Sequence, residues 1–332
     1  MTSKLPLIRL SAINPLLLEL NRRGVDTGPL LREHGLPTGI PVTEDLFVAS
    51  DTVYEIVEQC GDLSRDKFFG FAVGSSLNLQ SWPPIAGAME RATTVGELLT
   101  MFSINAGEHS TATRFFVSTE GERSTFGFER VKEPAFTPGQ NDAFYMGFML
   151  PLLRHSTRDQ WDAASVLFTI AEPHCVPANN EAYRIAKGNR SGVKISFPSQ
   201  WLFERFEKSN FKMRMSEAGS ADIPRSLINS LRTALRPHLH EHDLTADKAA
   251  KICGHDRRWL SRELRERGTT LSTEITALRA DKASRELVET DHPVARIAES
   301  VGFTDPTVFS RAFKNWTGQS PRDYRRAHKS PG

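Results

Sequence analysis

The apolar residues of the first 110 positions recur at the spacing of amphipathic helices. The stretch "NPLLLELNRRG" has a proline near its start and Gly24 at its end, which is the usual asymmetry of helix termini. Ser50 and Asp51 are helix-capping residues that precede another apolar run. "PPIAGAMERATTVGELLTMF" predicts two short helices, the second capped by Thr93 or Thr94. The chain is therefore predicted to begin with a mainly helical region.

Alternation of apolar and polar residues replaces the helical period further along the chain. The runs Thr113–Thr119 and Ser124–Arg130 flank a Glu-Gly-Glu turn and predict a hairpin. A long amphipathic helix is predicted over "QNDAFYMGFMLPLLRHSTR", and "ASVLFTIAEP" and "SGVKISFPSQWL" predict two more strands. This order of elements favours an α+β fold for Pro6–Phe211, with a cupin-like barrel as the competing architecture.

The segment "KMRMSEAGSADIPRS" interrupts these patterns and has the composition of a linker, with Gly219 and Ser220 at its centre. Beyond it the pattern is helical only. We therefore predict two domains: an α+β N-terminal sensor or dimerisation domain over residues 1–215 and an all-α C-terminal domain over residues 241–330. A linker region over residues 216–240 would join them.

The C-terminal part contains an internal repeat, in which Ala249–Gly268 aligns with Ile297–Gly318. The aligned pairs are Gly254 with Gly302, Leu260 with Phe309, Ser261 with Ser310, Arg262 with Arg311, Leu264 with Phe313 and Gly268 with Gly318. Each copy has a helix, a glycine suited to a tight turn, and a second helix with an apolar ridge. This pattern predicts two helix-turn-helix motifs, joined by one long helix over "STEITALRADKASRELVET".

The charge of the chain is divided unevenly between its parts. The net charge of +2 combines +6 from Arg225–Gly332, with 20 Lys and Arg against 14 Asp and Glu, and −4 from the remainder. A basic C-terminal third joined to a mildly acidic body indicates an anionic partner for that third only.

The region Leu244–Arg326 resembles the double helix-turn-helix DNA-binding domain of the AraC/XylS family of bacterial transcription regulators. The resemblance is carried by "VARIAESVGFTDPTVFSRAFKNWTGQSPRDYRR", which follows the signature of that family nearly position by position. It implies that the second helix of each motif reads base pairs of promoter DNA. An arginine can bind guanine through two hydrogen bonds, and serine or threonine can reach a base edge or a phosphate.

The candidate DNA contacts that follow from this alignment are Arg257, Arg258, Ser261, Arg262 and Arg265 in the first motif, and Thr307, Ser310, Arg311, Lys314 and Asn315 in the second. We predict that Phe303, Phe309, Phe313 and Trp316 are core residues and do not intercalate between bases.

The stretches "NLQSWPPIAGAMERATTVGELLTMF" and "NNEAYRIAKGNRSGVKISFPSQWL" resemble the arabinose-binding-type front domain of one subgroup of that family. The subgroup includes regulators similar to the ornithine-utilisation and mycobacterial virulence-gene activators. The resemblance implies a front domain that binds a small effector, dimerises, or does both, and its name does not identify arabinose as the ligand.

An apolar effector pocket is one interpretation of the aromatic residues in this front part, and plain hydrophobic core is the other. The candidate pocket residues are Phe126, Phe128, Phe144, Tyr145, Phe148 and Met149. Arg114, Arg130 or Arg154 could bind a carboxylate through a two-pronged contact, and the sequence does not select among them.

Enzyme and metal-site patterns are missing from the sequence, so we expect no catalytic residue, metal or cofactor. "GNRSGVK" lacks the Gly-Lys-Ser/Thr ending of a phosphate-binding loop. His238, His240 and His242 would align as metal ligands only on a strand, whereas the flanking pattern is helical. A front domain that turns over its ligand would need a catalytic set that the sequence does not offer.

Three scattered cysteines, no signal-peptide pattern and no apolar run of bilayer-spanning length favour a cytoplasmic protein without a membrane partner, nucleoid-associated when bound to DNA. The expected partners are double-stranded promoter DNA, a small-molecule effector, a second copy in a homodimer, and RNA polymerase if the protein activates transcription. The alternative is a constitutive DNA-binding regulator whose front domain serves only dimerisation or protein contacts.

Overall fold

The computed structural model describes residues 5–42, 46–177, 183–206 and 226–328. These residues form two compact units, the larger from Pro6 onward and the smaller containing the C-terminal helices. No helix in the described part of the chain combines the length and the apolar character that crossing a bilayer requires.

The described part of the larger unit contains seven helices and seven strands. The helices are α1 (Asn14–Arg22), α2 (Gly28–Glu33), α3 (Ser50–Ser64), α4 (Phe69–Ser75), α5 (Pro83–Arg91), α6 (Val95–His109) and α7 (Gly139–Thr157). The strands are β1 (Leu7–Arg9), β2 (Phe47–Ala49), β3 (Thr113–Glu120), β4 (Arg123–Arg130), β5 (Leu167–Ile170), β6 (Arg184–Lys187) and β7 (Gly192–Pro198).

Five of these strands form one open sheet in the order β3-β4-β7-β5-β6, in which only β5 and β6 are parallel. Strands β1 and β2 form a separate antiparallel pair. Because β3 and β6 are free edges of the five-stranded sheet, the described strands form an α+β unit and not the competing cupin-like barrel. The apolar side chains of the sheet join those of the helices in a single core cluster.

The predicted hairpin and the long helix are present as β3–β4 and α7. Thr94 caps α6 by accepting a hydrogen bond from the Glu97 amide, and the Glu97 carboxylate accepts one from the Thr93 amide in return. Strand β6 was not predicted, because "RIAK" has polar residues at both ends and no fully buried side chain. Its parallel pairing with β5 defines it, and no local pattern encodes that pairing.

Helices α4 and α7 cross at backbone contact distance. A β-carbon on Gly74 would overlap the carbonyl oxygen of Phe144, and one on Gly147 would overlap that of Phe71. The two glycines face each other, since each hypothetical β-carbon also approaches the α-carbon of the other glycine. Glycine is therefore required at both positions by the close approach of the two helices.

The N-terminus of α7 is capped by a carboxylate from α3. Glu58 Oε1 accepts a hydrogen bond of 2.8 Å from the Gln140 amide. Burial nevertheless raises the pKa of Glu58 to about 7, with the negative charges of Asp142 and Asp62 acting in the same direction. Burial also lowers the pKa of His109, at the end of α6, to about 4, and the nearby charge of Arg9 adds to this.

These two groups are expected to give opposite pH dependences of the unfolding free energy. The folded state holds the Glu58 proton more tightly than the unfolded chain does, so this contribution to stability is lost as the pH rises from about 4.5 to about 7. The His109 contribution is present above about 6.5 and is lost as the pH falls towards about 4. In the wild type the two partly cancel between pH 5 and 6.5.

Glu58→Gln keeps an oxygen that can accept from the Gln140 amide and removes only the pH dependence that comes from Glu58. This contribution is of the order of 3 kcal/mol once the carboxyl group is fully ionised. Urea titrations of the full chain at pH 5 and pH 8 should show the variant gaining stability relative to wild type at the higher pH. Equal pH dependence in both proteins would show that Glu58 has an ordinary pKa.

The described part of the smaller unit is built from helices only. They are α8 (Leu227–Leu235), α9 (Ala246–Ile252), α10 (Arg257–Glu266), α11 (Leu271–Glu289), α12 (Val294–Ser300), α13 (Pro306–Thr317) and α14 (Pro321–His328). The predicted long helix between the repeats is α11, and Pro306 opens α13.

Helix α8 lies within the segment 216–240 that the sequence predicts as a linker. Leu231 and Leu235 are buried, and Arg232 Nε lies 2.7 Å from the Glu274 carboxylate on α11. Residues 226–240 are therefore a packed part of the smaller unit. The predicted border at residue 215 and the rest of the linker lie outside the described residues.

Candidate DNA-binding surface and effector cavity

Two pairs of helices in the smaller unit correspond to the two copies of the repeat. We call α9 with α10 the first helix pair and α12 with α13 the second helix pair. Gly254 and Gly302, at the turns, have φ angles of 65° and 79°, in the left-handed region that the repeat predicts for them. At Gly302 an added β-carbon would also lie 2.8 Å from the Glu241 carbonyl oxygen, so this turn is tightly enclosed.

The second helix of each pair begins at an aspartate cap. Asp256 accepts hydrogen bonds from the amides of Arg258 and Trp259, and Asp305 accepts one of 2.6 Å from the Thr307 amide. The hydrogen bonds at the start of α13 hold the pKa of Asp305 below its usual range, and Arg311 contributes to this through its positive charge. Both caps fix the first turn, and with it the direction in which the candidate contact residues project.

The apolar ridge of each second helix faces inward. The side chains of Leu260, Leu264, Phe309 and Phe313 are fully buried. Phe303, Trp316 and Tyr324 are partly buried and pack against the cluster around Phe309 and Phe313. The aromatic residues predicted as core are therefore core residues, and the opposite faces of α10 and α13 are left for contacts with a partner.

The outer face of α13 carries the predicted contact residues of the second motif. Thr307, Arg311, Lys314 and Asn315 are exposed, whereas Ser310 is half-buried and its hydroxyl donates to the Pro306 carbonyl oxygen at 2.8 Å. Across the described chain, no acidic side chain lies within ion-pair distance of Arg311 or Lys314. These two cations are therefore available to an anionic partner without the loss of an existing ion pair.

The outer face of α10 also carries exposed arginines, but one of them is already in a close ion pair. Arg258 and Arg265 are exposed, and so is Arg262, whose guanidinium approaches Glu263 only to 3.9 Å. Arg257 is already paired with Asp247 at 3.0 Å, and Ser261 is half-buried. The ring of Trp259 stacks on His255, with 4.0 Å between the ring centroids.

Sequence reasoning missed Val308 on the outer face of α13. Its side chain is 48% exposed, and it is the only large apolar side chain so exposed within 226–328. It lies beside Thr307 and one turn from Arg311. No pattern in the sequence pointed to it, because a valine next to an aromatic ridge cannot be distinguished from a core residue by its position in the repeat.

The predicted effector-pocket residues of the larger unit do not meet in one pocket. Phe126, Phe128 and Met149 line a void of only about 10 Å³, and Tyr145 also reaches it. Phe148 is fully buried against other aromatic rings. Most of this set is therefore hydrophobic core.

Phe144 and Tyr145 instead line a second cavity with a volume of about 50 Å³. Its other walls include Tyr54 from α3, Trp82, and His109 from α6. Sequence reasoning missed these residues because they come from segments far apart in the chain, and no local pattern connects them.

The three arginines considered as carboxylate ligands are all unsuited to this cavity. Arg130 is buried and forms an ion pair with Asp142, and it also donates to the Arg190 carbonyl oxygen at 3.0 Å. Arg114 and Arg154 are exposed on the surface and do not line the cavity.

Two family models match the chain. The model described as "Helix-turn-helix domain" matches residues 249–327. The model described as "Arabinose-binding domain of AraC transcription regulator, N-term" matches residues 24–186. The first covers both helix pairs, and the second runs from before α2 into β6 and includes most but not all of the cavity lining.

The curated relatives that the chain matches are transcription regulators. The transcriptional activator NphR of Rhodococcus is 32% identical over 34% of this chain and 34% of its own length. The ornithine utilization regulator of Pseudomonas aeruginosa is 31% identical over 40% of this chain and 41% of its own length. The chain thus matches less than half the length of these two relatives. The HTH-type transcriptional regulator VirS of Mycobacterium tuberculosis is 24% identical over 319 residues, 91% of each chain.

Proposed function

Since the chain belongs to the AraC family of transcription regulators, we propose that it reads promoter DNA through two helix-turn-helix units and responds to a small molecule through its N-terminal domain. The observation that carries the DNA part is the pair of outward-facing cationic helices, α10 and α13, at matching places in two helix pairs. The same observation supports a role as a regulator and not as an enzyme.

The two helix pairs are joined by α11, whose 19 residues span about 28 Å as a helix. Recognition helices that read adjacent major-groove faces are separated by about 34 Å, one turn of DNA. We expect the two helix pairs, joined through α11, to read two boxes about one turn apart.

Within each helix pair the residues take different roles. Arg311 and Arg262 contact base edges, with Arg258, Ser261, Thr307 and Ser310 beside them. Lys314, Asn315, Arg257 and Arg265 contact the phosphate backbone, where contacts fix orientation without reading sequence. Arg257 must exchange Asp247 for a phosphate, which costs little because this ion pair is exposed.

The N-terminal domain binds the effector, and the regulator works as a homodimer because paired half-sites raise affinity and specificity together. An effector changes the activity only if it binds one conformation better than another. If the protein activates transcription, RNA polymerase is a further partner.

The second candidate is a constitutive regulator whose front domain only dimerises or contacts a protein. It is favoured by Ile104 on α6 and by Phe203, whose side chains are 66% and 81% exposed. Exposed apolar side chains mark a contact surface where they form one contiguous patch. Saturable small-molecule binding by the full chain would exclude this candidate.

Selection of bound duplexes from a random DNA library tests the DNA part. The full chain and the variant Arg262→Ala/Arg311→Ala should be selected in parallel at moderate salt. We expect the wild type to enrich two boxes about one helical turn apart and the variant to enrich neither. Enrichment of the same motif by both proteins would contradict the assignment of these arginines as readers.

A further inference from the structure

One apolar side chain lies on the outer face of α13, which is otherwise polar and cationic. Val308 is 48% exposed, and Arg311 and Asn315 are exposed on the same face. Arg311 and Asn315 follow Val308 by three and seven positions, so helical periodicity places the three side chains along one stripe of the helix. Val308 therefore belongs to the surface assigned to DNA contact.

The fold gives no reason for a valine at this position. The ridge of α13 that packs into the core consists of Phe309 and Phe313, which are fully buried. Valine also has a lower helix propensity than alanine or lysine. A single exposed valine is common on protein surfaces, so its exposure alone indicates no partner. Its place at the start of α13 does.

Val308 is the third residue of α13. In helix-turn-helix proteins the N-terminal residues of the second helix are those that reach base edges in the major groove. Asp305 fixes this first turn by accepting a hydrogen bond of 2.6 Å from the Thr307 amide. A valine in a helix has one strongly preferred rotamer, so both of its methyl groups are already held in place before contact and little entropy is lost on binding.

The chemistry of the valine side chain selects one group in the major groove. Every base pair presents hydrogen-bond donors and acceptors there, and the C5-methyl group of thymine is the apolar group among them. The valine side chain neither donates nor accepts a hydrogen bond, so against a polar base edge or a phosphate it would only displace water. Against the thymine methyl group it buries apolar surface on both sides.

The position of this thymine follows from the spacing along α13. Side chains three positions apart on a helix have β-carbons about 5–6 Å apart, and successive base pairs are about 3.4 Å apart. The thymine therefore lies within about two base pairs of the one that Arg311 binds. In the first helix pair the position that matches Val308 is held by Trp259, whose ring is stacked on His255, so that pair has no counterpart of this valine.

We propose that Val308 is a specificity-determining residue that recognises the C5-methyl group of one thymine in the box read by the second helix pair. The inference rests on the proposed DNA-reading function and adds to it a base that no arginine selects. It also means that the two boxes differ in sequence at this point.

Replacement of thymine by deoxyuridine tests the contact, because deoxyuridine pairs in the same way and lacks only the methyl group. The box in question is the one in which Arg311→Ala relaxes the base preference. Each thymine of that box is replaced in turn, and binding of the full chain is measured by fluorescence anisotropy. We expect one replacement within about two base pairs of the Arg311 position to weaken binding about three- to tenfold, the factor that burial of one methyl group contributes.

Val308→Ala removes the two methyl groups that would make this contact. The position is exposed and alanine is the better helix former, so α13 should stay intact. We expect the variant to bind the thymine duplex more weakly than wild type by the same factor, and to bind the thymine and deoxyuridine duplexes equally. Val131→Ala is the matched control, because Val131 is a valine of the larger unit with a similar exposure of 44%, and it should keep the preference of the wild type for thymine.

Two results would overturn the proposal. One is a wild type that binds every deoxyuridine duplex as tightly as the thymine duplex. The other is a Val308→Ala variant that still prefers thymine by the wild-type factor, which is the result expected if Val308 contacts another protein or only supports the shape of α13. Both results leave the selected motif, and with it the DNA-reading function, standing. A duplex selection that enriches no motif would overturn that function and the thymine contact together.

Discussion

Arg130→Met is expected to lower the unfolding free energy of the N-terminal unit by about 3–5 kcal/mol. The guanidinium of Arg130 and the carboxylate of Asp142 are both completely buried and paired. Removing the cation leaves the carboxylate buried without its partner, although the Ala171 amide still donates to it at 3.1 Å. The cost comes from this uncompensated charge more than from the lost attraction.

Urea titration of the full chain with labelling of Cys60 measures this effect. Cys60 is fully buried in the core of the larger unit, so mass-spectrometric detection of its alkylation reports on that unit alone. Arg190→Met is the matched control. Arg190 pairs with Glu133 at the surface, and its loss should cost less than about 1 kcal/mol.

A second substitution separates charge from packing. In Arg130→Met/Asp142→Asn the asparagine oxygen can still accept from the Ala171 amide, and no buried charge remains. We expect the double variant to recover much of the lost stability. If it is as unstable as Arg130→Met alone, shape and not charge determines the cost.

Arg311→Ala is expected to weaken binding to the selected DNA motif by about 1–3 kcal/mol, roughly 5- to 150-fold, and to relax the preference at one base pair. Arg311 is exposed on α13, among Thr307, Val308 and Asn315, and has no acidic partner among the described residues. It therefore binds a base edge at little cost in existing interactions.

Lys314→Ala provides the comparison one turn further along α13. A phosphate contact has no sequence preference, so this variant should weaken binding to motif and random DNA by the same factor. The slope of log K against log salt should also fall by about one. Fluorescence anisotropy with both duplexes at several salt concentrations distinguishes the two variants. Equal losses on both duplexes for Arg311→Ala would show that it is a phosphate contact.

The two helix pairs and the outward faces of α10 and α13 could be predicted from the sequence because each part of them is encoded locally. The same turn glycine, ridge and arginine recur at nearly the same spacing in both copies, and helical periodicity then fixes which side chains share a face. Gly254 and Gly302 have the positive φ that this pattern requires. Val308 was missed because periodicity alone does not separate an exposed valine from a buried one.

The cavity lined by Phe144 and Tyr145 could not be predicted in the same way. Tyr54, Trp82, His109 and Asn141 come from different elements, and only the packing of α3, α6 and α7 brings them together. Local patterns located α7 and the β3–β4 hairpin correctly. They left open whether the aromatic residues of these elements line a pocket or form the core, and the packing buries Phe126, Phe128 and Phe148 in the core.

The glycine contact between α4 and α7 has a mechanical consequence. Two helices whose backbones touch at Gly74 and Gly147 cannot slide along each other, because a shift of one residue would bring a β-carbon against a carbonyl group. Helix α7 is therefore a fixed wall wherever it borders a bound molecule. If the N-terminal domain binds a small molecule as proposed, any rearrangement would have to be taken up by walls other than α7.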